Sequence, residues 1–114
     1  MKIQRFEDIL AWQKGKILIL KAYQSFRDLK DYGFKDQILR AVVSICNNIA
    51  EGFERQSNKE LSKFLFIAKG SSAEVRSMLY IALELNYINK DDFKKLYSLS
   101  EEISKMLSGF IKTL

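Results

Sequence analysis

The stretch from Gln37 to Phe53, QILRAVVSICNNIAEGF, constrains the fold of this chain more than any other. Its apolar residues recur every three or four positions, at Ile38, Val42, Ile45, Ile49 and Phe53, which is the spacing of one face of an α-helix. A polar stripe with the same spacing follows another side and comprises Gln37, Arg40, Ser44, Asn48 and Glu51. Because amides and hydroxyls often bond to other protein groups, we expect this stripe to lie in a structural contact, within the fold or between subunits.

Helical patterns are predicted for nearly the whole chain, which contains no proline, only five glycines and no β-type alternation. We expect four helices, over about residues 7–29, 35–53, 57–86 and 89–114. Ser57 and Glu60 have the spacing of a capping box, and Asn89 stands where an N-cap is expected. Gly70-Ser71-Ser72 interrupts the third pattern, which favours a bend or a close backbone crossing there.

The short connections between these helices predict their arrangement. Neighbouring helices joined by about three to six residues run in opposite directions, so we expect an all-α, antiparallel up-down-up-down four-helix bundle. At 114 residues the chain has the length of one domain, over residues 1–114. The core face of the first helix is predicted to comprise Ile9, Trp12, Ile19, Leu20, Tyr23 and Phe26.

Apolar residues outside the predicted core faces indicate self-association. On the first helix they are Leu10, Ile17 and Leu18, and on the third they are Phe66, Ile67, Ile81 and Leu83. A monomeric bundle rarely needs an apolar surface of this breadth. We therefore expect a homo-oligomer.

Catalysis and metal binding are not expected. The chain has no histidine, which removes the commonest general base and the commonest metal ligand. Its single cysteine, Cys46, lies in an apolar and small-residue stretch and is predicted to be a buried core residue. We therefore predict a protein that is not an enzyme and that uses no cofactor and no metal.

The chain also lacks the signals of a membrane or exported protein. No apolar run approaches the roughly 18 residues of a membrane-spanning helix. The N-terminal sequence MKIQRFEDIL has neither the apolar region nor the cleavage site of a signal peptide. We expect a cytoplasmic protein without a membrane partner.

The charge of the chain favours an anionic partner. Its net charge is +5, and residues 1–30 contain seven lysines and arginines against three acids. Such a surface attracts RNA, DNA or an acidic protein, and a ring of subunits would repeat each contact. The candidate nucleic-acid contacts are Lys14, Lys16, Lys21, Arg27, Lys30, Lys59 and Lys63. The alternative is a protein-interaction scaffold in which the polar stripe fixes the register of the subunits.

Three stretches carry a resemblance to a known family. They are FEDILAWQKGKILILKAYQSF at 6–26, QILRAVVSICNNIAEGFERQSNKELSKFLFIAKGSSAE at 37–74 and the C-terminal SEEISKMLSGFIKTL. The most specific segment is NIAEG at 48–52, with Arg40 and Ser44 before it and Ser57 and Glu60 after it. The chain resembles the four-helix-bundle proteins encoded by intervening sequences in 23S rRNA genes. It is more distantly similar to the accessory protein of diversity-generating retroelements.

The resemblance implies an antiparallel bundle that assembles into a homopentameric ring. Coding within an rRNA gene suggests a role related to RNA. The retroelement accessory protein binds nucleic acid and associates with a reverse transcriptase, which would be a further partner if this chain belonged to a retroelement. Family members commonly carry proline where this chain has Cys46. Because proline removes a helical N–H and bends a helix, the second helix is expected to be straighter here unless packing imposes the bend.

Overall fold

The computed structural model describes residues 3–114. A short 3-10 turn at Phe6–Asp8 precedes four α-helices: α1 at Leu10–Phe26, α2 at Tyr32–Phe53, α3 at Asn58–Glu84 and α4 at Lys90–Lys112. Residues 3–114 contain no β-strand. The prediction of an all-α chain with four helices is therefore confirmed.

Two side-chain caps fix the starts of α3 and α4. Ser57 Oγ accepts a hydrogen bond from the backbone N–H of Glu60 at 3.1 Å. Asn89 Oδ1 accepts one from the backbone N–H of Asp92 at 2.8 Å. In each case the cap satisfies an N–H that the first turn of a helix leaves without a partner. Ser57 and Asn89 are the N-caps that the sequence predicts. Of the predicted capping box only the Ser57 half forms within residues 3–114, because the Glu60 carboxylate lies 3.7 Å from Arg55 instead.

A third cap places the start of α2 earlier than predicted. Asp31 Oδ1 accepts a hydrogen bond from the backbone N–H of Phe34 at 3.2 Å. The helix therefore begins at Tyr32, whereas the sequence pattern indicated a start near Lys35. The prediction rested on the apolar periodicity, which begins only at Ile38. The Asp31 cap acts through one local hydrogen bond and does not depend on that periodicity.

Further differences from the prediction concern α1, which also ends earlier, at Phe26, and α3. α1 begins later than expected because the 3-10 turn at Phe6–Asp8 ends at Ile9, whose backbone is extended. α3 continues without interruption through Gly70. A single glycine in a helix costs only about 1 kcal/mol relative to alanine, which the packing of a 27-residue helix readily offsets.

Each helix packs against two others. α2 and α4 both contact α1 and α3, whereas α1 and α3 do not contact one another within residues 3–114. Lys14 of α1 lies 3.6 Å from Glu102 of α4, and Ser25, further along α1, donates to Asp92 near the start of α4 at 3.2 Å. The four helices therefore form a bundle in which α1 and α3 occupy diagonal positions.

The core face of α1 differs from the predicted one. Its buried residues are mostly small, and they are Ala11, Gly15, Leu18, Ala22 and Phe26. Tyr23 is 47% exposed and Leu20 is 58% exposed, so their assignment to the core is wrong. The placement of Leu18 outside the core is also wrong, because it is fully buried. Ile9 and Phe26 are buried as predicted, and Trp12 and Ile19 are partly buried and pack against the core. The prediction favoured large apolar residues and so missed the small ones on this face.

Small residues on this face let α1 approach α2 closely. A Cβ atom added to Gly15 would lie 2.6 Å from Cys46 Sγ. The Cys46 thiol donates to the backbone carbonyl of Trp12 at 3.4 Å and is buried, as predicted. α2 passes through Cys46 as one uninterrupted helix.

Most of the apolar residues predicted to lie outside the core are exposed. Five of them have exposed fractions between 40% and 65%, and they are Leu10, Ile17, Phe66, Ile67 and Ile81. Leu83 is half-buried and packs against the core. Within residues 3–114, every helix is too short or too polar to cross a membrane.

Candidate nucleic-acid interface

The polar stripe of α2 divides into an engaged part and an exposed part. Ser44 Oγ lies 2.9 Å from Ser71 Oγ of α3. Asn48 Nδ2 donates to Ser44 Oγ at 2.9 Å and to the Ser44 carbonyl at 2.8 Å. Gln37, Arg40 and Glu51 are exposed, and Glu51 pairs with Arg55 of the same subunit at 2.7 Å. The centre of the stripe thus bonds α2 to α3 within one subunit, whereas its ends face outward.

A groove of about 600 Å³ runs along the outer side of α1 and α2. Tyr23 of α1 lines it, together with the charged side chains Lys35, Asp36 and Arg40 of α2. Its remaining lining residues are Leu39, Val43, Ser44 and Asn47. This groove combines cations, a half-exposed aromatic ring and hydrogen-bonding side chains in one concave surface.

The two cations that line this groove, Lys35 and Arg40, differ in their contacts. Lys35 Nζ donates to the backbone carbonyl of Arg27 at 2.7 Å, which holds the ammonium beside the end of α1. The Arg27 side chain is exposed there and is not among the lining residues of the groove. Within residues 3–114, the Arg40 side chain makes no hydrogen bond and no ion pair. Asp36 is the single acid among the lining residues, so positive charge predominates.

The other predicted cations lie apart from this groove or are already engaged. Lys14 pairs with Glu102 across the α1–α4 seam, and Lys16 Nζ lies 6.0 Å from the centre of the Trp12 ring. Lys21 lines a separate depression of about 170 Å³ with Asp92 and Lys95. Three others are exposed at the bundle surface, namely Lys30, Lys59 and Lys63. The structure therefore does not gather the seven candidates into one surface.

Sequence reasoning did not assign Lys35 or Tyr23 to a binding site, and it placed Arg40 in the polar stripe as a structural contact. Lys35 was passed over because its segment has no positive excess, and Tyr23 was assigned to the core. A signal for Lys35 was present, since Lys35, Leu39, Val43 and Asn47 are spaced by four and form one ridge of α2. No comparable signal exists for Tyr23, because its exposure depends on which face of α1 meets α2.

An apolar groove of about 620 Å³ lies at one end of the bundle. Ile9, Phe53, Leu61 and Phe110 are among its lining residues, and among residues 3–114 Asp8 is the only charged residue that lines it. A groove without cations offers no attraction to phosphate. It is therefore a poorer candidate for the anionic partner that the charge of the chain predicts.

A second combination of arginine and tyrosine lies across the bundle, where α3 meets α4. Arg76 Nη1 donates to Ser72 Oγ at 3.0 Å and to the Ser100 carbonyl and Oγ at 3.2 Å. Ser72 and Ser100 are fully buried, and their hydroxyls lie 2.8 Å apart. This arginine is occupied by internal hydrogen bonds.

An aromatic cluster covers the same α3–α4 seam. The Tyr80 ring packs against Phe93 and Tyr97 at centroid distances of 5.4 and 5.2 Å. A hydrogen bond with Tyr80 raises the pKa of Tyr97 above its ordinary value. The polar and aromatic groups of this seam therefore already contact one another.

Cys46 has the environment of a structural thiol. Burial raises its pKa to about 12, so the reactive thiolate form is scarce at neutral pH. Among residues 3–114, no cluster of His, Cys, Asp and Glu side chains is suited to hold a metal ion.

Comparison with known proteins places the chain in a family. The family model described as 23S rRNA-intervening sequence protein matches residues 7–109. The chain belongs to this family. The resemblance stated from the motifs is thereby confirmed, including the NIAEG segment that precedes the α2–α3 connection.

A solved structure shares the same fold. It is the crystal structure of a protein of unknown function from the S23 ribosomal protein family of Bacteroides thetaiotaomicron, with a TM-score of 0.84 and 26% sequence identity. The match covers 90% of this chain and 99% of that chain. No curated protein matches the chain. The family and the fold are therefore fixed, and function must be argued from the surface.

Proposed function

We propose that this protein is a non-enzymatic, cytoplasmic nucleic-acid-binding protein that acts as a homo-oligomer of antiparallel bundles. The observation that carries the proposal is the α1–α2 groove, which Lys35, Arg40 and Tyr23 line together. A catalytic role has little support in a chain without histidine whose only thiol has a pKa of about 12.

The charged groups of the groove suit phosphate. A guanidinium offers five N–H donors in a planar fork that matches phosphate oxygens, and those of Arg40 have no partner within residues 3–114. The Lys35 ammonium has three donors and gives one to the Arg27 carbonyl, which leaves two. The groove can therefore bind a nucleic-acid backbone without breaking contacts that hold the bundle together.

Self-association in a ring is supported by the positions of the exposed apolar residues. α1 and α3 are diagonal in the bundle, and Leu10 and Ile17 on α1 and Ile67 and Ile81 on α3 are exposed. Two apolar faces on opposite sides of one subunit fit head-to-tail contacts, which close into rings when the rotation permits. The homopentamer that the family resemblance implies is such a ring.

Fluorescence anisotropy with labelled RNA and DNA, measured over a series of salt concentrations, tests the proposal. The oligomer is first sized by light scattering. We expect binding whose logarithm falls linearly with the logarithm of salt concentration, because phosphate contacts release counterions. Absence of binding to both nucleic acids at the lowest salt concentration would remove the proposal.

Charge-reversal variants locate the surface. Arg40→Glu is expected to weaken binding about tenfold or more, because it removes a charged hydrogen bond and adds repulsion. Lys105→Glu on α4 is the matched control, since α4 does not contact α2 within residues 3–114. If reversal of both Lys14 and Lys21 has the larger effect, the interface lies on the α1–α4 side instead.

A protein-interaction scaffold is the second candidate function. The exposed apolar residues of α3 favour it, because patches of this kind mark protein contacts. A ribonucleoprotein partner belongs to the nucleic-acid-binding proposal, whereas the scaffold would bind another protein without nucleic acid. In a retroelement that partner protein would be a reverse transcriptase. Loss of oligomerisation in Ile81→Glu with nucleic-acid binding retained would restrict this face to subunit contacts.

A further inference from the structure

We propose that the α1–α2 groove binds an unpaired nucleotide, so that the protein prefers single-stranded to duplex nucleic acid. The base would stack on the Tyr23 ring while the flanking phosphates meet Arg40 and Lys35. This inference rests on the proposed function and adds to it the structural class of the nucleic acid. The juxtaposition of ring and cations within one groove carries it.

The Tyr23 ring has the accessibility that stacking requires. It is 47% exposed, and within residues 3–114 no other aromatic ring packs against it. Bases stack on such rings regardless of sequence, because every base has a π-face. A base inside a duplex has both faces covered by its neighbours, so only an unpaired base can use this ring.

The other side chains of the groove complement a nucleotide. Asn47 brings an amide that can donate to and accept from a base edge. Leu39 and Val43 also line the groove and supply apolar surface. A volume of about 600 Å³ falls within the range of small-ligand sites. The groove thus holds groups suited to the face and the edge of a base and to the flanking phosphates.

Asp36 sets a limit on the strength of this site. Its carboxylate lines the groove with Lys35 and Arg40 and repels phosphate. Binding to one groove is therefore expected to be weak, and several grooves in an oligomer would act together on one strand. This dependence suits a long unpaired segment better than a single free nucleotide.

The test compares one labelled oligonucleotide as a single strand and as its perfect duplex, bound to the full chain at one salt concentration. Tyr23→Ala is expected to weaken single-strand binding about 5- to 100-fold and to change duplex binding less than about twofold. Tyr23→Phe keeps the ring and should retain single-strand binding. Tyr80→Ala is the matched control, because Tyr80 is an exposed tyrosine on the opposite seam. Circular dichroism and light scattering verify that each variant keeps its fold and oligomer size.

A second measurement reads stacking directly. An oligonucleotide with 2-aminopurine at successive positions should change its fluorescence on binding the wild-type protein and Tyr23→Phe, and should not do so on binding Tyr23→Ala. Equal loss of single-strand and duplex affinity in Tyr23→Ala, or no loss in either, overturns the inference. Salt-dependent binding that persists in that case leaves the proposed function standing. Absence of all binding removes both.

Discussion

The α1–α2 groove and the α3–α4 seam contain the same residue types in opposite states. Each combines an arginine with an exposed tyrosine, Arg40 with Tyr23 in the groove and Arg76 with Tyr80 in the seam. Arg76 is held by hydroxyl and carbonyl groups of α3 and α4, whereas Arg40 has no partner within residues 3–114. The difference lies in whether the polar atoms and rings are already occupied.

This contrast separates a structural surface from a candidate binding surface. A half-buried arginine keeps its place only if hydrogen bonds compensate for the water it loses, and Ser72 and Ser100 provide them in the seam. In the groove, the Arg40 guanidinium has no such partner within residues 3–114 and is left to solvent and hence to a ligand. Composition alone does not distinguish the two regions.

The largest expected effect is on the α3–α4 seam. Arg76→Ala should lower the free energy of unfolding by about 2 kcal/mol, because it removes charge-assisted hydrogen bonds to a buried serine pair. Nucleic-acid affinity should remain within about twofold of wild type, a change of roughly 0.4 kcal/mol. Urea denaturation and anisotropy measure the two quantities.

Arg40→Ala is the matched variant for this comparison. It should change the free energy of unfolding by less than about 0.5 kcal/mol, as expected for a surface substitution, while it weakens binding. If Arg76→Ala instead weakened binding and left stability unchanged, the roles assigned to the two regions would be exchanged.

A smaller effect is expected where α1 meets α2 next to the groove. Gly15→Ala should destabilise the protein by about 1 kcal/mol, because overpacking against Cys46 Sγ exceeds the gain in helix propensity. In the background of Cys46→Ala the clash is absent, so the same substitution should stabilise by about 1 kcal/mol.

The sign change is the critical observation. A double-mutant cycle from chemical denaturation measures the coupling between the two positions. Gly70→Ala is the control, since a Cβ there meets no atom within 4 Å, and it should stabilise in both backgrounds. Equal effects of Gly15→Ala in both backgrounds would mean that the thiol does not set the distance between the helices.

Within the groove, the acid is expected to weaken binding slightly. Asp36→Asn should tighten nucleic-acid binding about two- to fivefold, the range of an exposed charge interaction. Glu84→Gln on α3 removes the same charge at a distance from the groove and is the control. Weaker binding by Asp36→Asn would indicate that the carboxylate holds Lys35 or Arg40 in place.

The comparison also explains which features the sequence could predict. Ser57 and Asn89 were found because a cap is a local signal. The core face of α1 was missed because Gly15 and Ala22 are informative only through how closely another helix approaches. Tyr23 and Lys35 lie on different helices, so no local pattern joins them. The pairing of Lys14 with Glu102 could not be predicted either, because the two residues are far apart in the sequence and meet only in the fold.

One contact ties the start of the groove-bearing helix to the α3–α4 connection, and the smallest effect is expected there. Tyr87 donates to Asp31 Oδ2 at 2.8 Å. This hydrogen bond, followed by that from the Phe34 N–H, lowers the pKa of Asp31 below 3.8. The bond also raises the pKa of Tyr87 above 10. The hydrogen bond therefore contributes to the free energy of unfolding while Asp31 is ionised and Tyr87 is protonated. This contribution is lost as pH falls below about 4 or rises above about 10.

Tyr87→Phe removes the larger of the two causes, so the pKa of Asp31 should rise towards 3.8. Carbon-detected NMR titration of the Asp31 carboxyl measures this directly, with Tyr97→Phe as the control, because Tyr97 bonds Tyr80 instead. An unchanged pKa of Asp31 in Tyr87→Phe would mean that Asp31 does not join the start of α2 to the α3–α4 connection. If the pKa rises as expected, the hydrogen bond from Tyr87 in the α3–α4 connection supports the Asp31 cap that starts α2. The position of Lys35 in the groove then depends on this hydrogen bond and on the cap.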